Sequence, residues 1–134
     1  MNRQQKSVII DEIQKLHTES VATFLVEYKG LDVAAMQGLH KHLRGDLGVV
    51  KVAKTTLMKR ALKGVDGIDD FSKHLKTQVG LVFAKGEVSS IAKKLVNFAK
   101  DHELMHIISG FFETRTLSKK EITHLTENSL YYET

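Results

Sequence analysis

Four short apolar runs, separated by stretches of helical period, limit what this chain can build. Val21-Ala22-Thr23-Phe24-Leu25-Val26-Glu27-Tyr28 is β-branched and aromatic, Val49–Ala53 is short and β-branched, and Val79–Ala84 is almost wholly apolar. Leu104–Ile108 continues into Phe111-Phe112, with an irregularity expected at Gly110. Each reads as a strand. Between them the apolar spacing becomes helical. Val8, Ile9, Ile13 and Leu16 mark an opening helix, ending before Thr18-Glu19-Ser20. Asp32 is placed to cap a second, with Met36, Leu39, Leu43 and Leu47 inside and Lys41 and Arg44 outside. Leu57, Met58, Ala61 and Leu62 define a third, ending near Gly64, and Phe71 and Leu75 suggest a short one in the weaker stretch Val65–Gln78. Val88, Ile91, Ala92, Leu95 and Ala99 form the inner face of the next, with Lys93, Lys94 and Lys100 outside. Ser118-Lys119-Lys120-Glu121 is a capping-box pattern opening a last helix with Ile122 and Leu125 inside.

The order is therefore β-α-β-α-β-α-β behind an extra N-terminal helix, an α/β chain of the α+β sandwich kind. The economical packing is a four-stranded sheet with helices on one face, a split β-α-β (ferredoxin-like) arrangement. A small parallel sheet with helices on both faces is the competitor. With no proline, the turns rely on glycine and short polar residues. No repeat, low-complexity segment or linker divides the 134 residues, a length suited to one domain.

The absence of cysteine excludes disulfides and thiolate metal sites and fits a reducing compartment. The longest apolar runs are far too short to span a bilayer, so no membrane is expected. The N-terminus leads into an amphipathic segment containing Asp11 and Glu12, unlike a secretory signal.

Charge is unevenly placed. Residues 1–67 hold 11 Lys/Arg against 7 Asp/Glu, whereas residues 68–134 hold 9 of each. Within Gln37–Lys63, 7 Lys/Arg face the single Asp46. Such a patch suggests a docking surface for a polyanion, although a solvated basic helix face is common too. Its centre is Lys51 to Lys63, which carries five positive charges and no negative one. Val50 and Val52 alternate with Lys51 as in an exposed strand; the following helix then keeps Lys59, Arg60 and Lys63 opposite its apolar face. Thr55 or Thr56 is the natural N-cap at the junction. A helix start with free N–H groups, flanked by lysines, suits a phosphate, and phosphate in quantity means nucleic acid.

One segment matches a catalytic pattern. His102-Glu103-Leu104-Met105-His106 has the letters of the zinc metalloprotease motif, and a zinc hydrolase is the alternative reading it offers. That chemistry needs a helix, where positions i and i+4 point at one metal. The downstream residues read as a strand, on which positions four apart are separated by roughly 13 Å, too far for one zinc. His40 and His42, at i and i+2 of a helix, diverge; His17, His74 and His124 stand alone. There is no phosphate-binding glycine loop, dinucleotide fingerprint or nucleophile elbow. Neither an enzyme nor a cofactor or metal is expected.

The basic stretch also carries a resemblance. Glu27-Tyr28-Lys29-Gly30-Leu31, then Met36 and Leu39, then Lys51-Val52-Ala53-Lys54-Thr55-Thr56-Leu57 and Lys59-Arg60-Ala61, resemble the bacterial-type ribosomal protein L-ten (uL-ten) family. Its archaeal and eukaryotic relatives are called P-zero. The likeness continues through Gly80-Leu81-Val82-Phe83-Ala84, Asn97-Phe98-Ala99-Lys100 and Gly110-Phe111-Phe112 to Leu117-Ser118, covering roughly residues 3–127. It implies a ribonucleoprotein of the large ribosomal subunit that binds rRNA at the stalk base, by the GTPase-associated centre and the L-eleven protein; the same patch would also serve another small RNA-binding protein, the first rival reading. The host compartment would be a bacterial cytoplasm or an organelle matrix such as the mitochondrion. The resemblance puts RNA contact at Lys51, Lys54, Thr55, Thr56, Lys59 and Arg60, with Arg3, Lys6 and Lys29 assisting, and Lys63 closes the same run. The family usually has Asn where Thr55 stands, and often a proline before its third strand. The domain expected is 1–127, one rRNA-binding α/β unit, with 128–134 a short tail where the family's stalk-dimer helix would begin. A single turn there is too short to seat the acidic stalk dimers.

Overall fold

The computed structural model describes residues 2–28, 33–76, 78–112 and 114–124, with Val33 described by its backbone alone. The elements in order are α1 (Arg3–Glu19), β1 (Ala22–Glu27), α2 (Val33–Arg44), β2 (Gly48–Val52), α3 (Thr55–Leu62), α4 (Ile68–Ser72), β3 (Val79–Ala84), α5 (Val88–Asp101), β4 (His106–Phe112) and β5 (Arg115–Ser118). A helical segment, residues 119–124, follows.

The strands form one antiparallel sheet in the order β2-β3-β1-β4-β5. Both units β1-α2-β2 and β3-α5-β4 are split by a strand of the other, which is the expected split β-α-β connectivity. Two details differ from expectation. The sheet has a fifth strand, Arg115–Ser118, paired with Ser109–Phe112. Four residues with one buried apolar position, Leu117, give too little alternation to read as a strand.

Helices also cover both faces rather than one. On one face Leu39 and Leu43 of α2 and Ile91, Ala92 and Leu95 of α5 pack on Phe24, Val26, Val82 and Ala84. On the other, Ile13 of α1, Met58, Ala61 and Leu62 of α3, and Ile68 and Phe71 of α4 pack on Leu25, Leu81, Phe83 and Phe111. The reason lies in β1 and β3, apolar at nearly every position instead of every second one. Continuous apolar strands need cover on both faces, and all of Val79–Ala84 is buried.

Local departures have physical causes. The irregularity in β4 lies at Ile108, because Leu25 pairs with Ser109 while Val26 pairs with Ile107. Gly110 instead gives room: a Cβ there would sit 3.2 Å from the Phe24 ring and 3.3 Å from Ile122. Leu47 lies beyond α2, with φ 62° and 61% exposure, rather than on its inner stripe. Val8 is exposed, and Ile9 and Ile10 share the docking of α1 with Ile13 and Leu16. The capping box at Ser118 is formed: the Glu121 N–H donates to Ser118 Oγ (3.2 Å) and the Ser118 N–H to Glu121 Oε1 (3.4 Å). The expected cap Asp32 lies outside the described residues.

Candidate nucleic-acid interface

The basic run leaves the sheet at its edge. Strand β2 has one neighbour, β3, and the chain then turns through Ala53 and Lys54 into α3. Lys54 is the N-cap, at φ −65° and ψ 139°, and its carbonyl accepts from the Leu57 (3.0 Å) and Met58 (3.2 Å) N–H groups. This corrects the expectation of a threonine cap: Thr55 and Thr56 already lie inside the helix. A lysine side chain offers no acceptor, so α3 starts with no side-chain cap and its first N–H groups lack an intrahelical partner. Leu57, Met58, Ala61 and Leu62 are buried, which turns Lys59, Arg60 and Lys63 outward.

Helix α1 packs beside α3. A capping box fixes its start: Asn2 Oδ1 accepts from the Gln5 N–H (2.8 Å) and Gln5 Oε1 from the Asn2 N–H (3.0 Å). Arg3, Lys6, Ser7 and Ile10 follow at positions i, i+3, i+4 and i+7, one helix face. They line an open groove together with Arg60 of α3. The fold thus unites Arg3 and Lys6 with Arg60, more than fifty residues away. Among the described residues none of these three is in an ion pair, nor are Lys54, Lys59 and Lys63.

Lys51 is different. Its ammonium pairs with Glu12, tying β2 to α1, with the side chains 27% and 48% exposed. Glu12 is the feature the one-dimensional charge count overlooked, since only folding brings it to the basic run. Thr55 is half-buried and Thr56 exposed beside Lys54. Lys29 lies outside the described residues.

Other polar sites serve the scaffold. Asp46 Oδ2 accepts from Lys94 Nζ (2.7 Å) and Ser90 Oγ (3.0 Å), joining the α2–β2 loop to α5. These hydrogen bonds, Lys94 first, hold its carboxyl below the ordinary value. Lys85 binds Glu19 at 2.8 Å, closing the far end of α1 on β3 and lowering the Glu19 pKa. His17 is half-buried beside Thr23 and Phe111, and desolvation lowers its pKa.

The zinc-like pattern spans three kinds of backbone: His102 is the C-cap of α5, Glu103 and Leu104 form a turn, and His106 opens β4. The His102 ring stacks on Phe98 at 3.9 Å, and its Nδ1 lies 3.1 Å from the Phe98 carbonyl. Among the described residues no group of three His, Asp or Glu is gathered for a metal. Nor is any helix among them long and apolar enough to cross a membrane.

The profile of the family described as "Ribosomal protein L10" matches residues 1–100. "Large ribosomal subunit protein uL10" of Carboxydothermus hydrogenoformans is 36% identical over 124 residues, 92% of this chain and 70% of that protein. The protein of that name from Cutibacterium acnes is 36% identical over 129 residues, covering 95% and 61%. That from Staphylococcus aureus (strain JH9) is 35% identical over 120 residues, covering 87% and 70%. The chain thus spans between 61% and 70% of the length of these relatives. At this identity and coverage, the chain belongs to the ribosomal protein L10 family.

Proposed function

We propose that this chain is a structural constituent of the large ribosomal subunit that binds rRNA at the base of the stalk, beside the GTPase-associated centre and an L-eleven-family protein. Residues 1–127 would be its RNA-binding unit. The names of its relatives support the subunit. The observation that carries RNA binding is the α1–α3 surface, where Arg3, Lys6, Lys54, Lys59, Arg60 and Lys63 have no acidic partner among the described residues.

The physics of such a surface is phosphate neutralisation. Each phosphate engaged releases condensed counterions, so affinity falls steeply with salt. Folded RNA presents its backbone more readily than its base edges, so the surface reads shape. Few aromatic side chains accompany the cations, which leaves base stacking a small part. The protein's part in translation is then positional: it organises where factors land and contributes no reacting group.

The test is Lys54→Glu combined with Lys59→Glu, both exposed and outside the core. Binding to a large-subunit rRNA fragment should be abolished, with stability changed by no more than about 0.5 kcal/mol for each site. Unchanged affinity at near-physiological salt would refute the proposal.

A further inference from the structure

We infer that the groove between α1 and α3 is a seat for a single phosphate of the RNA backbone, formed by Arg3, Lys6 and Arg60 together. This rests on the RNA-binding reading above and assigns one part of that surface a defined occupant.

The stripe that docks α1 is apolar where it meets the core: Ile13 is fully buried, and Ile10 and Leu16 are partly so. One turn towards the N-terminus the same stripe continues as Lys6, Ser7 and Arg3, and Arg60 of α3 joins them in the groove. Among the described residues the lining holds three cationic side chains, one hydroxyl and no carboxylate.

Three described lysines that reach across to another element meet a carboxylate there: Lys51 meets Glu12, Lys85 meets Glu19 and Lys94 meets Asp46. In the α1–α3 groove, like charges from two helices converge with no acidic partner among the described residues. Such convergence is self-repulsive until an anion enters.

The chemistry suits phosphate. Two guanidinium groups can each present a planar fork to phosphate oxygens, an ammonium adds a point charge, and the Ser7 hydroxyl can donate. The α1 capping box already engages the Gln5 N–H, so the seat is built from side chains. Lys51, held by Glu12, stands apart from it.

The experiment measures Kd for a large-subunit rRNA fragment between 50 and 200 mM KCl, using the full chain. The variants are Arg3→Gln, Arg60→Gln, their combination, and Lys100→Gln, each checked by its melting curve. If Arg3 and Arg60 share one phosphate, the double variant should flatten the log–log salt slope measurably but by no more than about 0.9 in total, however that divides between the single changes. Lys100→Gln, at an exposed site on α5 across the sheet, should leave the slope as it is. A double variant that flattens the slope by about 1.8 would mean two separate phosphates, and one that leaves it unchanged would mean no seat; either overturns the inference while RNA binding stands. A wild-type chain that does not bind the fragment overturns both. Inorganic phosphate supplies the last arm: if it raises the melting temperature of the wild type but not of the double variant, while both bind RNA equally, the seat takes free phosphate and the RNA assignment is wrong.

Discussion

Glu12→Gln should strengthen RNA binding, although it removes an ion pair. Glu12 holds Lys51 across the α1–β2 gap, with side chains 48% and 27% exposed. At that exposure the pair contributes at most about 1 kcal/mol to stability. The melting temperature should therefore fall by no more than roughly 5 °C. The electrostatic effect is larger: an acidic group disappears from the α1–α3 surface and the Lys51 ammonium is released. If Lys51 then neutralises one further phosphate, the salt slope steepens by about 0.9. Between 50 and 200 mM salt that extra slope corresponds to an additional change in affinity of about threefold, with the gain greatest at low salt. Filter binding or anisotropy titration against an rRNA fragment at several KCl concentrations reads both quantities. An unchanged slope would show that Lys51 does not face RNA. Weaker binding at low salt would show that the pair itself forms part of the interface. Either result would refute the view of Lys51 as a cation held in check by Glu12.

Two further predictions concern the scaffold. Gly67 sits at φ 77°, and a Cβ there would lie 1.9 Å from the Thr114 carbonyl oxygen, whereas Gly64, at φ 90°, has nothing within 4 Å. Gly64→Ala should therefore cost about 1–2 kcal/mol from backbone strain alone, and Gly67→Ala clearly more, because backbone must move; chemical denaturation that ranks them equal or reversed refutes this. Asp46 has its folded pKa depressed below 3.8, so its contribution is complete above the unfolded value and is lost as pH falls through the folded one. Asp46→Asn should accordingly lower stability by about 0.5–1 kcal/mol at pH 7, and a gap from wild type that fails to close as pH drops below about 4 refutes the pairing.

The alternation of strand and helix was legible because Val21–Tyr28 and Val79–Ala84 are β-branched or apolar and Leu57–Leu62 and Ile91–Ala99 keep helical spacing. The inner faces of α3 and α5 follow the apolar positions, and the Ser118–Glu121 capping box forms because a local four-residue pattern needs no tertiary partner. The second helical layer was present in the sequence as unbroken apolarity in β1 and β3, a signal outweighed by the economy of a one-sided sheet. Strand β5 was hidden because its pairing with β4 is supplied by tertiary neighbours rather than by its own four residues. The site was legible as charge and not as geometry. Counting lysines located α3, but only folding brings Glu12 to Lys51 and Arg60 to Arg3 and Lys6. The threonine cap failed for a related reason: the exit from β2 sets where the helix begins, and that put Lys54 at the cap.

The central claim is that the cationic α1–α3 surface holds this domain against rRNA. A density map of intact large subunits containing the chain tests it most directly. The account predicts Arg3, Lys6, Lys54, Lys59 and Arg60 within contact distance of RNA phosphates at the stalk base. A map in which that surface faces open solvent, with RNA against another face or none, would contradict it.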